Sequence, residues 1–140
     1  MSGYFTLHVL ALLLTGLMLG AMVLFAFVVT PAIFRHLPRA EAGGLVARMF
    51  PLYYKVMIAA SVLAALSVWY RPAGVVLALV AVGFVVGFSV LLPRIEALRP
   101  GRLAGEAAAT ARFRRLHGLS SALNLVQMLA LLAVFLRLAR

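Results

Sequence analysis

Chemistry-bearing side chains collect in one stretch, residues 112–137, RFRRLHGLSSALNLVQMLALLAVFLR. A basic cluster (Arg112, Arg114, Arg115) leads into His117, and a polar stripe then enters an otherwise apolar run of membrane-spanning length. At roughly 100° per residue, His117, Ser120, Ser121, Asn124 and Met128 share one helical face, with Gln127 at its edge. Hydrocarbon offers no partner to an amide or a hydroxyl, so the stripe must face other helices or a wet cavity.

Each of these residues has a plain reading and a chemical one. The arginine cluster suits a headgroup boundary, and the same guanidinium groups could hold an anionic ligand. His117 is either an interfacial histidine bonded between helices, or a ligand to haem or a transition metal, or a proton relay near neutral pH. A metal needs convergent donors, and His36, Tyr54 and Glu96 are expected at similar depth. His8 belongs near the other end of helix one, so a bis-histidine haem in one chain would have to pair His117 with His36. Asn124 and Gln127 serve as polar glue between helices or as part of a ligand site. Met18 and Met22 have the softness for Cu(I), but no third Met or Cys stands near them, which favours packing.

Enzyme chemistry has little to work with. The three carboxylates, Glu41, Glu96 and Glu106, all fall in polar connections. The chain has no HExxH zinc motif, nucleophile elbow or phosphate-binding loop. Ion-coupled transport usually leaves an acidic residue inside a span, and none is there. The lack of cysteine removes disulfides, thiolate metal sites, iron–sulfur clusters and thiol catalysis.

The elements that must position these residues are membrane helices. Hydrophobic residues make up 66% of the chain and charged ones 11%, a balance that water-soluble domains of this length do not keep. A net charge of +10 would point to nucleic acid in a soluble protein. Here the arginines lie between apolar runs, where topology and anionic lipid headgroups account for them, and nucleic acid is not an expected partner.

The expected spans are residues 4–30, 50–70, 73–92 and 117–137. The first is too long for a signal peptide and lacks a basic leading region. Its Gly16 and Gly20 form a GxxxG pair, read as a packing face within the monomer or as a homodimer seam. Pro31 is expected to close it, sending Phe34, Arg35 and His36 out of the membrane. Residues 38–49 (PRAEAGGLVARM) read as a short polar connection, in part helical and interrupted at Gly43–Gly44. In the second span Tyr53, Tyr54 and Lys55 suit one headgroup level, and Trp69 and Tyr70 the other. Arg71–Pro72 is a tight turn, so the third span returns antiparallel, with Gly83 and Gly87 as a second small-residue pair and Pro93 as its terminator. The fourth helix should begin in the Ala-rich part of the long basic connection and run on into the bilayer.

Of the thirteen Lys and Arg, ten lie in or beside the connections after spans one and three. The positive-inside rule then places both connections in the cytoplasm and both termini outside, in a plasma or cell inner membrane. The halves also resemble each other. Pro31-Ala-Ile33-Phe34 is matched about 62 residues later by Pro93-Arg-Ile95-Glu96, and nearly the same shift sets Phe50 against Phe113, Tyr54 against His117 and Ser61 against Asn124. Two tandem helical hairpins related in this way form a parallel repeat, which brings the starts of helices two and four to one depth.

These residues carry a resemblance. TPAIF…AGGLVARMFPLYY in the first half and LLPRIEALR…RFRRLHGLSSALN in the second resemble the transmembrane protein 205-like family of small four-helix membrane proteins. The likeness covers nearly the whole chain and implies the fold and a membrane location. Its eukaryotic branch, associated with resistance to platinum drugs, implies handling of a metal complex or drug. More distantly the bundle is similar to copper-resistance D-type membrane domains and to HemJ-type protoporphyrinogen oxidases. The latter would imply haem, though their histidine motif has no counterpart in helix one.

The expected fold is thus an all-α integral membrane antiparallel four-helix bundle with a polar pocket between helices two and four. Tyr54, Lys55, Arg112, His117, Ser120, Ser121 and Asn124 are the candidate ligand-binding residues, with His117 and His36 the candidate metal or haem ligands. The leading functional expectation is a non-enzymatic membrane protein that binds or helps move a metal complex, cation or small amphiphile and requires no cofactor. A haem-binding redox protein built on His117, and an assembly factor that docks a partner on its basic loops, are the alternatives.

Overall fold

The computed structural model describes residues 2–140 as four long helical rods. The first comprises α1 (Ser2–Leu24), a π-helical turn (Phe25–Val29) and α2 (Thr30–His36). The second is α3 (Arg39–Ser67). The third comprises α4 (Pro72–Val86), a second π turn (Gly87–Leu91), α5 (Leu92–Ala97) and the short α6 (Arg99–Leu103). The fourth is α7 (Ala107–Leu138). Around the bundle each rod packs on two neighbours, the first on the second and fourth, the third likewise. Short connections make successive rods antiparallel. The last connection turns at Gly105, whose φ of 79° suits a residue without Cβ.

All four rods are long and apolar enough to cross a membrane. Their outer faces carry large aliphatic side chains: Leu17, Leu79 and Val126 are each more than 60% exposed. Water would make such a surface adhesive, whereas hydrocarbon requires it. The chain is an all-α four-helix membrane bundle.

The two prolines do not end their helices. Pro31 and Pro93 each lie inside a continuous rod, two residues past a π turn, and the two turns start 62 residues apart, at Phe25 and Gly87. In each, the residue before proline donates its N–H five residues back, Thr30 to Phe25 and Leu92 to Gly87. Proline lacks an N–H and its ring clashes with the carbonyl four residues back. The extra residue of a π turn moves that carbonyl aside, so the helix continues. The repeat suspected from matched sequence thus has a matched backbone irregularity in each half. Residues 39–49 likewise belong to α3, uninterrupted at Gly43–Gly44, and Pro51 lies inside the same helix.

The core is lined by Met18, Met22, Met57, Leu77, Phe84 and Leu131. Polar residues within it are satisfied locally. Thr15 and Ser61 donate to carbonyls of their own helices, at Ala11 and Met57, both 2.7 Å away. Among the described residues no buried side-chain nitrogen or oxygen lacks a partner. Gln127 is the exception in reach: its amide donates across the bundle to the Val80 carbonyl at 3.0 Å. Gly83 makes room for it, since a Cβ there would stand 2.7 Å from the Gln127 amide nitrogen.

The glycine pairs divide unequally. Gly83 and Gly87 both face inward, onto Gln127 and the Tyr54 ring. Gly16 packs on Phe135, but Gly20 has nothing within 4 Å of a would-be Cβ, so the first GxxxG is not one continuous seam inside the bundle. At the end that carries the termini, Arg71 donates to His8 Nδ1 (3.1 Å) and His8 Nε2 meets the Leu138 carbonyl (2.8 Å). Because arginine only donates, Nδ1 accepts and Nε2 carries the proton, tying rods one and four to the turn between two and three.

Candidate functional site

At the opposite, arginine-rich end the rods spread to leave a cavity of about 670 Å³. All four contribute to its lining. From α7 come Phe113, His117, Ser120, Ser121 and Asn124, one stripe at helical spacing. From α3, Gly43, Val46, Ala47, Phe50, Tyr53 and Tyr54 form the facing stripe. The first rod adds Phe25, Thr30 and Phe34, and the third adds Glu96, Arg99 and Arg102.

The inner part is aromatic. Phe25, from the first π turn, stacks on Tyr53 at 5.1 Å between ring centroids and meets Phe50 edge-on at 5.6 Å. Tyr54 stacks on Phe50 at 6.0 Å and lies 6.3 Å from Phe88, which belongs to the second π turn. Gly87, in that same turn, admits the Tyr54 ring, and the Tyr54 hydroxyl lies beside Ser120. The two irregular turns therefore act on adjacent tyrosines, the first on Tyr53 and the second on Tyr54. Such turns often mark functional sites, since they shift side chains out of the register a regular helix would impose.

The mouth is basic. Arg39, Arg99 and Arg102 line it together with one carboxylate, Glu96. Arg99 is engaged on both sides: it pairs with Glu96 at 3.2 Å and donates to the Gly43 carbonyl at 2.9 Å, joining α6 to α3. Arg102 sits over the Phe113 ring, its guanidinium carbon 3.3 Å from the ring centroid. Phe113 in turn is nearly parallel to His117, 5.4 Å away with 11° between planes. A guanidinium held against an aromatic face keeps its N–H edges free for an anion while its orientation is fixed. Arg39, Arg99 and Arg102 also border a second recess of about 380 Å³, so they stand as a wall between two spaces.

Of the candidate residues read from sequence, the cavity gathers Tyr54, His117, Ser120, Ser121 and Asn124. Lys55 and Arg112 are exposed and do not line it. The reason is helical phase: each follows or precedes a cavity residue by one position, which turns it about 100° away. His36, at the end of α2, is also exposed and outside the cavity. Among the described residues no three His, Cys, Asp or Glu side chains converge in a way that could hold a metal ion. Gln127 leaves the stripe for Val80, as helix glue.

Sequence reasoning missed Arg39, Arg99 and Arg102. A signal existed for two of them: Glu96, Arg99 and Arg102 are spaced by three, one face of a helix that continues beyond Pro93. Reading Pro93 as a terminator hid it.

A family model described as a domain of unknown function, DUF4149, matches residues 13–104. That segment covers most of the first three rods and the arginine wall, and stops short of α7. No curated protein and no solved structure matches the chain.

Proposed function

The chain belongs to the DUF4149 family, and on the geometry above we propose that it takes up a small amphiphile in the cavity between its four rods. One observation carries this reading. A single cavity of about 670 Å³ joins an aromatic floor (Phe25, Phe50, Tyr53) to a polar, arginine-rimmed mouth. Apolar lining with a few convergent polar groups is the usual form of a small-molecule site, and a ligand with a tail and a headgroup matches both halves. A bare cation does not, because three arginines and one glutamate repel it at the mouth.

In this reading the arginine-rich end is cytoplasmic and the termini are outside, as the distribution of Lys and Arg supports. The likeness to the transmembrane protein 205-like family agrees with a protein that handles a small molecule rather than one that transforms it. The residues at the mouth support binding without reaction, since Glu96, its carboxylate, is paired with Arg99.

Photo-cross-linking tests the proposal. A diazirine-bearing dodecanol, applied to protein in lipid nanodiscs, should label peptides containing Phe50 and Ser121 and be displaced by excess unlabelled amphiphile. Ala47→Trp, which fills the cavity, should abolish that labelling. Labelling spread evenly over outward residues such as Leu17 and Leu79, with no competition, would refute it.

A second reading keeps His117 as a haem ligand, since it alone of the histidines lines the cavity. Its test is an absorption spectrum of protein purified from its own membranes. A Soret band that vanishes in His117→Ala would replace the amphiphile reading.

A further inference from the structure

The arginine wall has features that the amphiphile reading does not use. Arg99 is committed to Glu96 and to the Gly43 carbonyl. Arg102 sits over the Phe113 ring but makes no ion pair among the described residues, and neither does Arg39. The three guanidinium groups and one carboxylate leave a net charge of +2 at one place, between the cavity and the smaller recess. Like charges gathered at this mouth, where Arg39 and Arg102 are exposed and Arg99 is partly buried, repel one another, and an anion seated among them relieves this.

We infer that this wall is the seat of a phosphate monoester headgroup, whose tail lies on the aromatic floor of the cavity. The inference rests on the amphiphile reading and specifies its ligand. Charge distinguishes the headgroup: a phosphate monoester carries about −1.5 to −2 at pH 7, which matches +2, whereas a fatty carboxylate carries one charge. Geometry agrees, because a planar guanidinium seated over the Phe113 ring offers paired N–H donors at its edge to a tetrahedral oxyanion. The headgroup itself can come from phosphatidic acid, the membrane phospholipid whose phosphate is a monoester, or from a single-chain alkyl phosphate.

Competition against the photo-label of the previous subsection tests this, using dodecyl phosphate, dodecanoate, dodecanol and inorganic phosphate. Dodecyl phosphate should compete at least ~10-fold more strongly than dodecanol, the effect of one or two charge-assisted hydrogen bonds, and more strongly than dodecanoate. Arg102→Gln should erase most of that advantage, while Arg102→Lys, which keeps charge but loses the planar fork, should restore only part. Phe113→Leu, which frees Arg102 without removing it, should weaken dodecyl phosphate severalfold. Far-ultraviolet circular dichroism and the midpoint of unfolding by dodecyl sulfate should match wild type in all three variants, which shows that the bundle is intact, so that the ratio of dodecyl phosphate to dodecanol competition reads the headgroup seat.

Equal competition by dodecanol and dodecyl phosphate would overturn the headgroup assignment and leave the amphiphile reading standing. Dodecanoate as potent as dodecyl phosphate would overturn the choice of phosphate. Inorganic phosphate as potent as dodecyl phosphate would overturn the placement of the tail. If nothing displaces the label, the amphiphile reading itself fails. Discs containing phosphatidic acid identify the source: loss of dodecyl phosphate competition assigns the seat to a membrane lipid, and undiminished competition assigns it to a single-chain phosphate.

Discussion

Gly87→Ala should destabilise the bundle, although alanine is the better helix former. A Cβ at this position would stand 2.7 Å from Tyr54 Cε1 and 3.0 Å from both Cζ and Oη. The ring has little freedom to retreat, being stacked on Phe50 at 6.0 Å and set against Phe84 at 6.4 Å and Phe88 at 6.3 Å. Overpacking of this kind costs about 1–3 kcal/mol. Against it stands the helical preference for Ala over Gly, about 0.5–1 kcal/mol. The expected net loss is therefore about 0–2.5 kcal/mol, the difference between those two effects. Gly20→Ala is the matched control: nothing lies within 4 Å of its Cβ, so it should be neutral or gain up to about 1 kcal/mol. Unfolding from mild detergent by added dodecyl sulfate, followed by far-ultraviolet circular dichroism, measures both. The Tyr54→Ala and Gly87→Ala double variant supplies the coupling, because removing the ring should relieve the clash and return about 1–3 kcal/mol. A Gly87→Ala protein more stable than wild type, or a pair with no coupling, would refute the close approach of Tyr54 to the second π turn. Since Tyr54 lines the cavity, the same substitution should also reduce cavity photo-labelling.

Two further tests address the rest of the structure. Gln127→Leu should cost only about 0.6 kcal/mol, the usual worth of a polar contact between membrane helices. Gly83→Ala should cost more, about 1–3 kcal/mol, because it pushes the amide off the Val80 carbonyl and leaves a buried polar group unpaired; the same unfolding titration ranks the two. The proposed orientation is open to single-cysteine labelling, since the chain has no native cysteine. Ala104→Cys should react with an impermeant maleimide only after the membrane is opened, and Ala139→Cys should react in intact cells; the reverse pattern would invert the topology.

Much of this protein is decided locally, and local physics is legible in a sequence. Apolar runs long enough to cross hydrocarbon dictate four helices, because lipid leaves backbone groups no other partner. Short connections make neighbours antiparallel, and the spacing of His117, Ser120, Ser121 and Asn124 places them on one face that cannot meet lipid. What tertiary structure alone decided is which faces meet and how far each helix runs. Pro31 and Pro93 look like terminators, because proline removes a hydrogen bond; they are not, because a π turn before each one reroutes the backbone. That continuation carries Glu96, Arg99 and Arg102 back over the cavity to meet Arg39, 60 residues before Arg99 in the chain. The rotation of each rod is set by close fits such as Gly83 on Gln127 and Gly87 on Tyr54, which depend on residues 33 or more positions apart. Those fits turn Tyr54 into the cavity and its neighbour Lys55 out of it. Composition and periodicity say which residues must avoid lipid, while only packing between distant segments decides which of them share a site.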